Sequence, residues 1–127
     1  MERKKVHTEN APQAIGPYSQ AINVGQFIFC SGQTPLDPAT MKLIEGDVQT
    51  QTRRVMENLR AVLEAAGSDL DHVLKTTVFL TDMGTFKAMN EVYATYFSTD
   101  PPARSTIGVR ELPLGAMVEI EMIAMTK

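Results

Sequence analysis

The sequence predicts an α+β fold in which two helices cover one face of a mixed β-sheet. Short apolar, β-branched runs alternate with two segments of helical periodicity. Each helical segment has a single apolar face, and the last strand alternates between two sets of side chains. Two helices suffice to cover one face of a sheet but not both, so these observations predict a two-layer sandwich.

Length and composition indicate how much structure the chain can hold. It has 127 residues, of which 43% are hydrophobic and 21% charged, as is typical of a globular domain. This length supports one hydrophobic core and not two. Because no low-complexity linker or repeat interrupts the chain, residues 1–127 are predicted to form a single domain.

The first strands are predicted in the stretch SQAINVGQFIFCSG. Two apolar runs flank Gly25 and Gln26, and glycine followed by a second residue suits a two-residue hairpin turn. After the turn LDPAT, a short extended piece is expected around Leu43 and Ile44. The predicted order of elements is ββ(β)αβαββ.

Two helices are predicted between the strands. The first begins at Asp47, a good N-cap residue, and ends at Gly67. Its apolar face consists of Val48, Thr52, Val55, Leu59, Val62, Leu63 and Ala66. The second runs from about Gly84 to Phe97, where two prolines end it. Its apolar face consists of Phe86, Met89, Tyr93, Tyr96 and Phe97.

The remaining strands are predicted at 74–80, near 104–109 and near 117–125. In the last strand, one set is expected to face the helices: Val118, Ile120, Met122 and Ala124. The other set mixes apolar side chains with two carboxylates, which suits a subunit contact better than bulk water: Met117, Glu119, Glu121, Ile123 and Met125. In 104–109 the more apolar set, Ser105, Ile107 and Val109, is expected to face the helices. That choice places Arg104 and Thr106 on the opposite face, together with Glu119.

Charge and the few metal-binding residue types argue against several functions. A net charge of −3 disfavours a nucleic-acid partner, since such domains carry a basic face. The lone Cys30 has no internal disulfide partner, and with His7 and His72 it forms no metal-binding spacing, so we expect no metal. No run of about 18 apolar residues is present. A cytoplasmic protein without a membrane partner is expected.

Five motifs resemble the Rid family, also known as the YjgF or L-PSP family, and above all its imine-deaminating RidA subgroup. They are TENAPQAIGPYSQA (8–21), SGQTPLDP (31–38), NLRAVLEAAGSDLDHVLKTTVFLTDM (58–83), PPARSTIGV (101–109) and VEIEMIA (118–124). The resemblance implies a chorismate-mutase-like fold assembled as a homotrimer. The sheets of such trimers form a central β-barrel, and the active sites lie in clefts between subunits.

The resemblance also implies roles for two charged residues. Arg104 matches the residue that binds a substrate carboxylate, which a planar guanidinium does with two parallel hydrogen bonds. The alternative is a structural ion pair with Glu119 or Glu121 across the subunit interface. Glu119 matches the catalytic acidic position, where it would activate the attacking water. Its alternative is a buried ion-pair partner. Glu121 lies outside the matching position and is interpreted as a structural or trimer-contact charge.

Four further residues match positions around the family's substrate. Tyr18 would border the pocket, the alternative being an ordinary core or interface tyrosine. Gly32 would allow the backbone to approach the ligand, unless it only ends a strand. Ser31 beside it is a weaker candidate. Thr106 departs from many RidA-type members, which have cysteine there, so substrate preference is the property it affects. Cys30 itself is expected to be a buried free cysteine.

The implied reaction is hydrolysis of 2-iminobutanoate or 2-iminopropanoate, released by PLP-dependent dehydratases, to a 2-keto acid and ammonia. It requires no cofactor, because positioning and one acid/base group suffice. Two alternatives remain. One is a small-carboxylate-binding or chaperone-like trimer without turnover. The other is an endoribonuclease or translation inhibitor, an activity attributed to some relatives.

Overall fold

A single mixed sheet of six strands organises the computed structural model, which describes residues 1–127. The strands are β1 (Arg3–Val6), β2 (Ala21–Val24), β3 (Phe27–Gln33), β4 (Val73–Leu80), β5 (Ala103–Gly108) and β6 (Val118–Met125). The helices are α1 (Val48–Ala65) and α2 (Phe86–Tyr93). Along the sheet the order is β1-β2-β3-β6-β4-β5, with β4 and β5 parallel and every other pair antiparallel. The predicted α+β sandwich with a mixed sheet is confirmed.

The predicted hairpin and first helix are present. Gly25 has φ 57°, a left-handed conformation that glycine adopts without strain, and it joins Val24 to Phe27 across the turn. The Asp47 carboxylate accepts a hydrogen bond of 2.9 Å from the Thr50 N–H and caps α1. α2 is shorter than predicted, because the segments 83–85 and 94–96 are 3-10 turns.

The core lies between α1 and the sheet. The helix-facing residues of β6 are at most 1% exposed, as predicted, and they pack against the fully buried α1 residues Val55, Leu59, Val62 and Leu63. The opposite face of the sheet is uncovered and carries several exposed large side chains: Phe27, Phe29, Ile107, Met117 and Met125. No helix of the chain is long and apolar enough to cross a membrane.

The N-terminal strand was not predicted, and the piece near Leu43 is not a strand. β1 has the sequence RKKV, whose charges hide its extended conformation, yet it pairs in register with β2 along the edge of the sheet. Charged residues are typical of edge strands, where they discourage pairing with another molecule. Leu43 forms only an isolated bridge with Leu36.

The predicted orientation of β5 is wrong by one residue. Arg104 and Thr106 lie opposite Thr76 and Val78 of β4, which are fully buried beneath the helices. Ile107 belongs to the other face and is 45% exposed. The prediction assigned the more apolar set of β5 side chains to the helix-facing side. At the edge of the sheet, however, the aromatic side chains of α2 pack against the guanidinium of an arginine as readily as against an aliphatic side chain.

Candidate active site

Four of the predicted site residues line one cavity on the uncovered face of the sheet. This Glu119 cavity has a volume of about 600 Å³. Its lining comprises Ile15, Tyr18, Ser31, Gly32, Thr34, Leu36, Pro113, Leu114, Glu119 and Glu121. The lining combines two carboxylates with apolar walls, an arrangement typical of small-molecule sites.

A bulge in β3 brings the backbone up to the Glu119 side chain. The pairing between β3 and β6 shifts between Cys30 and Gln33, so Ser31 and Gly32 lie in the irregular part. A Cβ atom added to Gly32 would lie 3.0 Å from the Glu119 Cδ and closer still to Oε2. Ser31 donates from Oγ to the Ser19 carbonyl oxygen at 2.6 Å. Glycine at 32 therefore makes room for the carboxylate, and the Ser31 hydroxyl supports the loop before it.

The Glu119 carboxylate sits in a setting that favours its protonated form. Burial, followed by the negative charge of Glu121, raises the pKa of Glu119 above its ordinary value. Glu119 forms no ion pair within the chain, so the interpretation as a buried ion-pair partner has no support there. A carboxylate whose pKa is raised is a stronger base than an exposed one. Glu121, interpreted from the sequence as a structural or trimer-contact charge, lines the same cavity.

Tyr18 forms one side of the cavity mouth. Its side chain is 50% exposed, which excludes an ordinary core tyrosine within this chain. The hydroxyl oxygen accepts a hydrogen bond of 3.4 Å from the Ile15 N–H, and the Tyr18 N–H donates to Gly16 O at 2.8 Å. The tight turn thus holds the ring at the edge of the Glu119 cavity.

Arg104 lies in a separate cavity, of about 520 Å³, between β5 and α2. Its Nη1 donates a hydrogen bond of 2.7 Å to Asn90 Oδ1. The guanidinium carbon lies 4.8 Å from the ring centroid of Tyr93 and 5.5 Å from that of Phe86. No carboxylate lies within 4.0 Å, so Arg104 pairs with neither Glu119 nor Glu121 in the chain. Because it has no acidic partner in the chain, its positive charge is available to a planar anion.

Thr106 is two residues along the same face of β5. Its Oγ1 is buried and has no hydrogen-bond partner within the chain. Buried hydroxyls are nearly always satisfied, and an ordered water suffices for this as well as a ligand does. Nearby, Tyr93 shares a hydrogen bond of 2.7 Å with Thr76, and burial raises the pKa of its phenol.

The remaining chemically active side chains lie elsewhere. Cys30 is buried, as predicted, and burial raises the pKa of its thiol to about 12. His72 pairs with Asp69, Nδ1 to Oδ1, at 2.6 Å. No group of three or more His, Cys, Asp or Glu side chains is close enough together to hold a metal ion.

Comparison with known proteins identifies the family. The model of the family described as Endoribonuclease L-PSP matches residues 8–126. The chain is a member of the Rid family. Protein DfrA of Myxococcus xanthus is 56% identical, and the match covers 99% of this chain and 98% of that protein. The 2-iminobutanoate/2-iminopropanoate deaminase of Mus musculus is 48% identical, with 96% and 90% covered.

A solved Rid family structure shares the fold. The crystal structure of E. coli TdcF with bound serine matches with a TM-score of 0.93 and 41% identity, covering 98% of this chain and 99% of that chain. The names of the relatives are mixed, including deaminase, endoribonuclease and descriptions without an activity. They establish the family and the fold.

The surroundings of Arg104 in this Rid family member were missed at the level of sequence. Tyr93 was interpreted only as part of the apolar face of the second helix and Asn90 was not singled out, although an amide among aromatic residues at helical spacing was a usable signal. The prediction that Arg104 and Glu119 share a sheet face is wrong. Within one chain, the Glu119 cavity and the Arg104 cavity lie on opposite faces of the sheet.

Proposed function

We propose that this chain is an imine deaminase that hydrolyses small 2-imino acids such as 2-iminobutanoate and 2-iminopropanoate. The observation that carries the proposal is the pair of half-sites. One holds a half-buried carboxylate with a raised pKa at Glu119, and the other holds an arginine, Arg104, with no acidic partner. The mouse relative named for this activity, 48% identical, supports it.

The complete site requires more than one chain, and we propose a homotrimer whose sheets form a central β-barrel. Exposed apolar residues on the uncovered sheet face support this assembly, because burying Phe29, Ile107 and Met125 against another copy removes them from water. In such a trimer the Glu119 half-site of one subunit would meet the Arg104 half-site of the next. Sedimentation equilibrium at micromolar concentration is expected to give three times the chain mass; the mass of a monomer would contradict the assembly.

The chemistry follows from the two half-sites. Arg104 would bind the substrate carboxylate, with Tyr18 packing on the substrate and the backbone at Gly32 and Thr106 orienting the imine. Glu119 would take a proton from water as the water oxygen bonds to C2. Glu119 then gives that proton to the imine nitrogen, which completes the carbinolamine. It next takes the proton of the carbinolamine hydroxyl and passes it to nitrogen, so that the C2–N bond breaks, ammonia leaves and the C2=O bond forms. The products are a 2-keto acid and ammonia, and Glu119 is returned to its starting state.

A second candidate function is binding of small carboxylates without turnover. The serine bound to TdcF favours it, since an amino acid presents the same carboxylate to a protein of the same fold. A binding site of this kind would need Arg104 and would not need a base at Glu119. Substitution of Glu119 therefore separates the two functions.

The deaminase proposal is tested by generating 2-iminopropanoate in situ from alanine with an amino acid oxidase. The loss of C=N absorbance is followed with and without this protein. We expect faster loss when the protein is present, with ammonia and pyruvate in equal amounts. Equal rates with and without the protein would remove the proposal.

Gly32→Ala is expected to lower turnover by about 10- to 100-fold, because the new Cβ displaces the Glu119 carboxylate from its place. Steady-state kinetics of the purified variant checks this. Gly67→Ala is the matched control, since no atom of the chain lies within 4 Å of its new Cβ and only the φ of 80° is strained. The control is expected to lose stability and keep its turnover. Wild-type kinetics in the Gly32 variant would show that the close contact is unimportant.

A further inference from the structure

The Glu119 cavity has three walls that come from three irregular segments. Residues 8–19 supply Ile15 and Tyr18, residues 34–36 supply Thr34 and Leu36, and residues 110–117 supply Pro113 and Leu114. None of these segments is part of the sheet or of an α-helix. Each wall is therefore held by contacts other than the hydrogen bonds between strands.

One buried carboxamide ties the first wall to the sheet. The side chain of Gln20, 2% exposed, accepts from the Thr8 N–H at 2.8 Å and donates to the carbonyl oxygens of Thr8, Ala11 and Pro12 at 3.0, 3.4 and 2.8 Å. The backbone carbonyl oxygen of Gln20 also accepts a hydrogen bond from the Ser31 N–H in the bulge. Gln20 thus connects the segment before Tyr18 with the backbone beside Gly32.

A second carboxamide, on α1, holds the next wall. Asn58 is fully buried and donates from Nδ2 to the carbonyl oxygens of Thr34 and Leu36 at 3.3 and 2.9 Å. Its Oδ1 accepts from Arg54 Nε at 3.1 Å. Both ends of the amide are used, and both carbonyls it binds belong to the wall.

The third wall is held by Gln51, two turns earlier on the same helix. Its Oε1 accepts from the Met117 N–H at 2.9 Å, and its Nε2 donates to the Ile44 carbonyl oxygen at 3.3 Å. The wall needs this support because Leu114 has φ 59°, a left-handed conformation that is unfavourable for leucine. The other polar tie at this end of the wall is the Thr81 N–H to the Met117 carbonyl oxygen, at 3.3 Å.

We propose that Gln20, Gln51 and Asn58 are positioning residues that together hold the three walls of the Glu119 cavity. A carboxamide suits the task because it donates and accepts at once and carries no charge to desolvate. None of the three residues lines the cavity itself. Their expected effect on turnover rests on the proposed deaminase function, whereas their effect on the walls does not.

The test compares Gln20→Met, Gln51→Met and Asn58→Leu with wild type by amide hydrogen exchange and steady-state kinetics. Each substitution keeps the approximate volume and removes the hydrogen bonds. Exchange in the wall that each residue holds is expected to accelerate about 10-fold or more, with the exchange of α1 and β6 unchanged. In the deaminase assay kcat is expected to fall about 10-fold and KM to change less, since the carboxylate is bound at Arg104.

Gln49→Met is the matched control for Gln51→Met. Gln49 is on the same helix, but its Nε2 donates to Ala88 O and to Glu91 on α2, away from the cavity. It is expected to leave the exchange of residues 110–117 and kcat at wild-type values. Should Gln51→Met fail to fold, Gln20→Met and Asn58→Leu, each acting on a different wall, still decide the proposal.

The outcomes separate the two proposals. If exchange accelerates only in the wall concerned and no form of the protein, wild type included, has deaminase activity, the positioning role is supported and the deaminase proposal is wrong. Folded variants whose walls exchange at wild-type rates overturn the positioning role, whatever the activity. Acceleration spread evenly over the whole chain also overturns it, because it would mean general destabilisation.

Discussion

Glu119→Gln is expected to lower the turnover of 2-iminopropanoate about 100-fold or more, with the fold and most carboxylate binding retained. The amide has nearly the same shape as the carboxylate but cannot accept a proton from water. The measurements are kcat for 2-iminopropanoate and the affinity for 2-ketobutyrate by calorimetry. Full activity in the variant would move the chemistry to another group, and full binding with no activity in wild type would favour a binding protein.

The raised pKa of Glu119 sets the direction of two pH effects. As a base, the residue has to be deprotonated, so kcat is expected to fall as the pH drops through its raised pKa. A carboxyl group whose pKa is raised by folding contributes stability below its ordinary pKa of 4.5 and loses that contribution as pH rises through the folded value. Glu119→Gln is therefore expected to melt no lower than wild type at pH 7. A lower melting temperature at pH 7 would show that the charged form is stabilised.

Glu121→Gln is the matched control in the same cavity. It removes the charge that helps to raise the pKa of Glu119 without removing the base. The fall in kcat is expected to shift to lower pH, while the maximal kcat stays near that of wild type. A loss of activity as large as that of the Glu119 variant would give Glu121 an equal part in the chemistry.

Arg104→Ala is expected to cost about 2 to 5 kcal/mol in the binding of 2-ketobutyrate, because it removes one partner of a desolvated charge pair. Arg104→Lys keeps the charge and loses the planar pair of donors, so its affinity should lie between those of Ala and wild type. Calorimetry measures both, with circular dichroism and the assembly mass as folding controls. Arg53→Ala, an exposed arginine on α1, controls for the change in net charge.

Mixing two inactive variants tests whether neighbouring chains complete the site. The Arg104→Ala and Glu119→Gln chains are refolded together in equal amounts. A site is then intact only when its Arg104 comes from a Glu119→Gln chain and its Glu119 comes from an Arg104→Ala chain. Random assembly of a cyclic trimer gives about a quarter of the wild-type number of sites. If the mixture is no more active than the separate variants, or folded Arg104→Ala binds like wild type, the shared site is wrong.

The sequence alone determined the features that depend on local chemistry and on the spacing of apolar residues. Asp47 and Gly67 bound α1 as predicted, Gly25 makes the hairpin turn, and β6 buries Ile120 and Met122 while leaving Glu119 on the other face. The motifs that hold Tyr18, Gly32 and Glu119 also predicted the family. Each of these follows from backbone conformation, from capping, or from a period of two residues in a strand or about 3.6 in a helix, all of which lie within one segment.

Only the tertiary structure decided how separate segments meet. The charges of β1 hide a strand that exists because β2 offers it an unpaired edge. Arg104 faces the helices because Tyr93 and Phe86 supply a surface for its guanidinium, which a ranking by apolarity does not foresee. Gln51 and Asn58 are buried on α1 because distant loops offer them carbonyl and N–H groups. Such partners are brought together by packing between segments far apart in the chain, and for this reason local patterns do not reveal them.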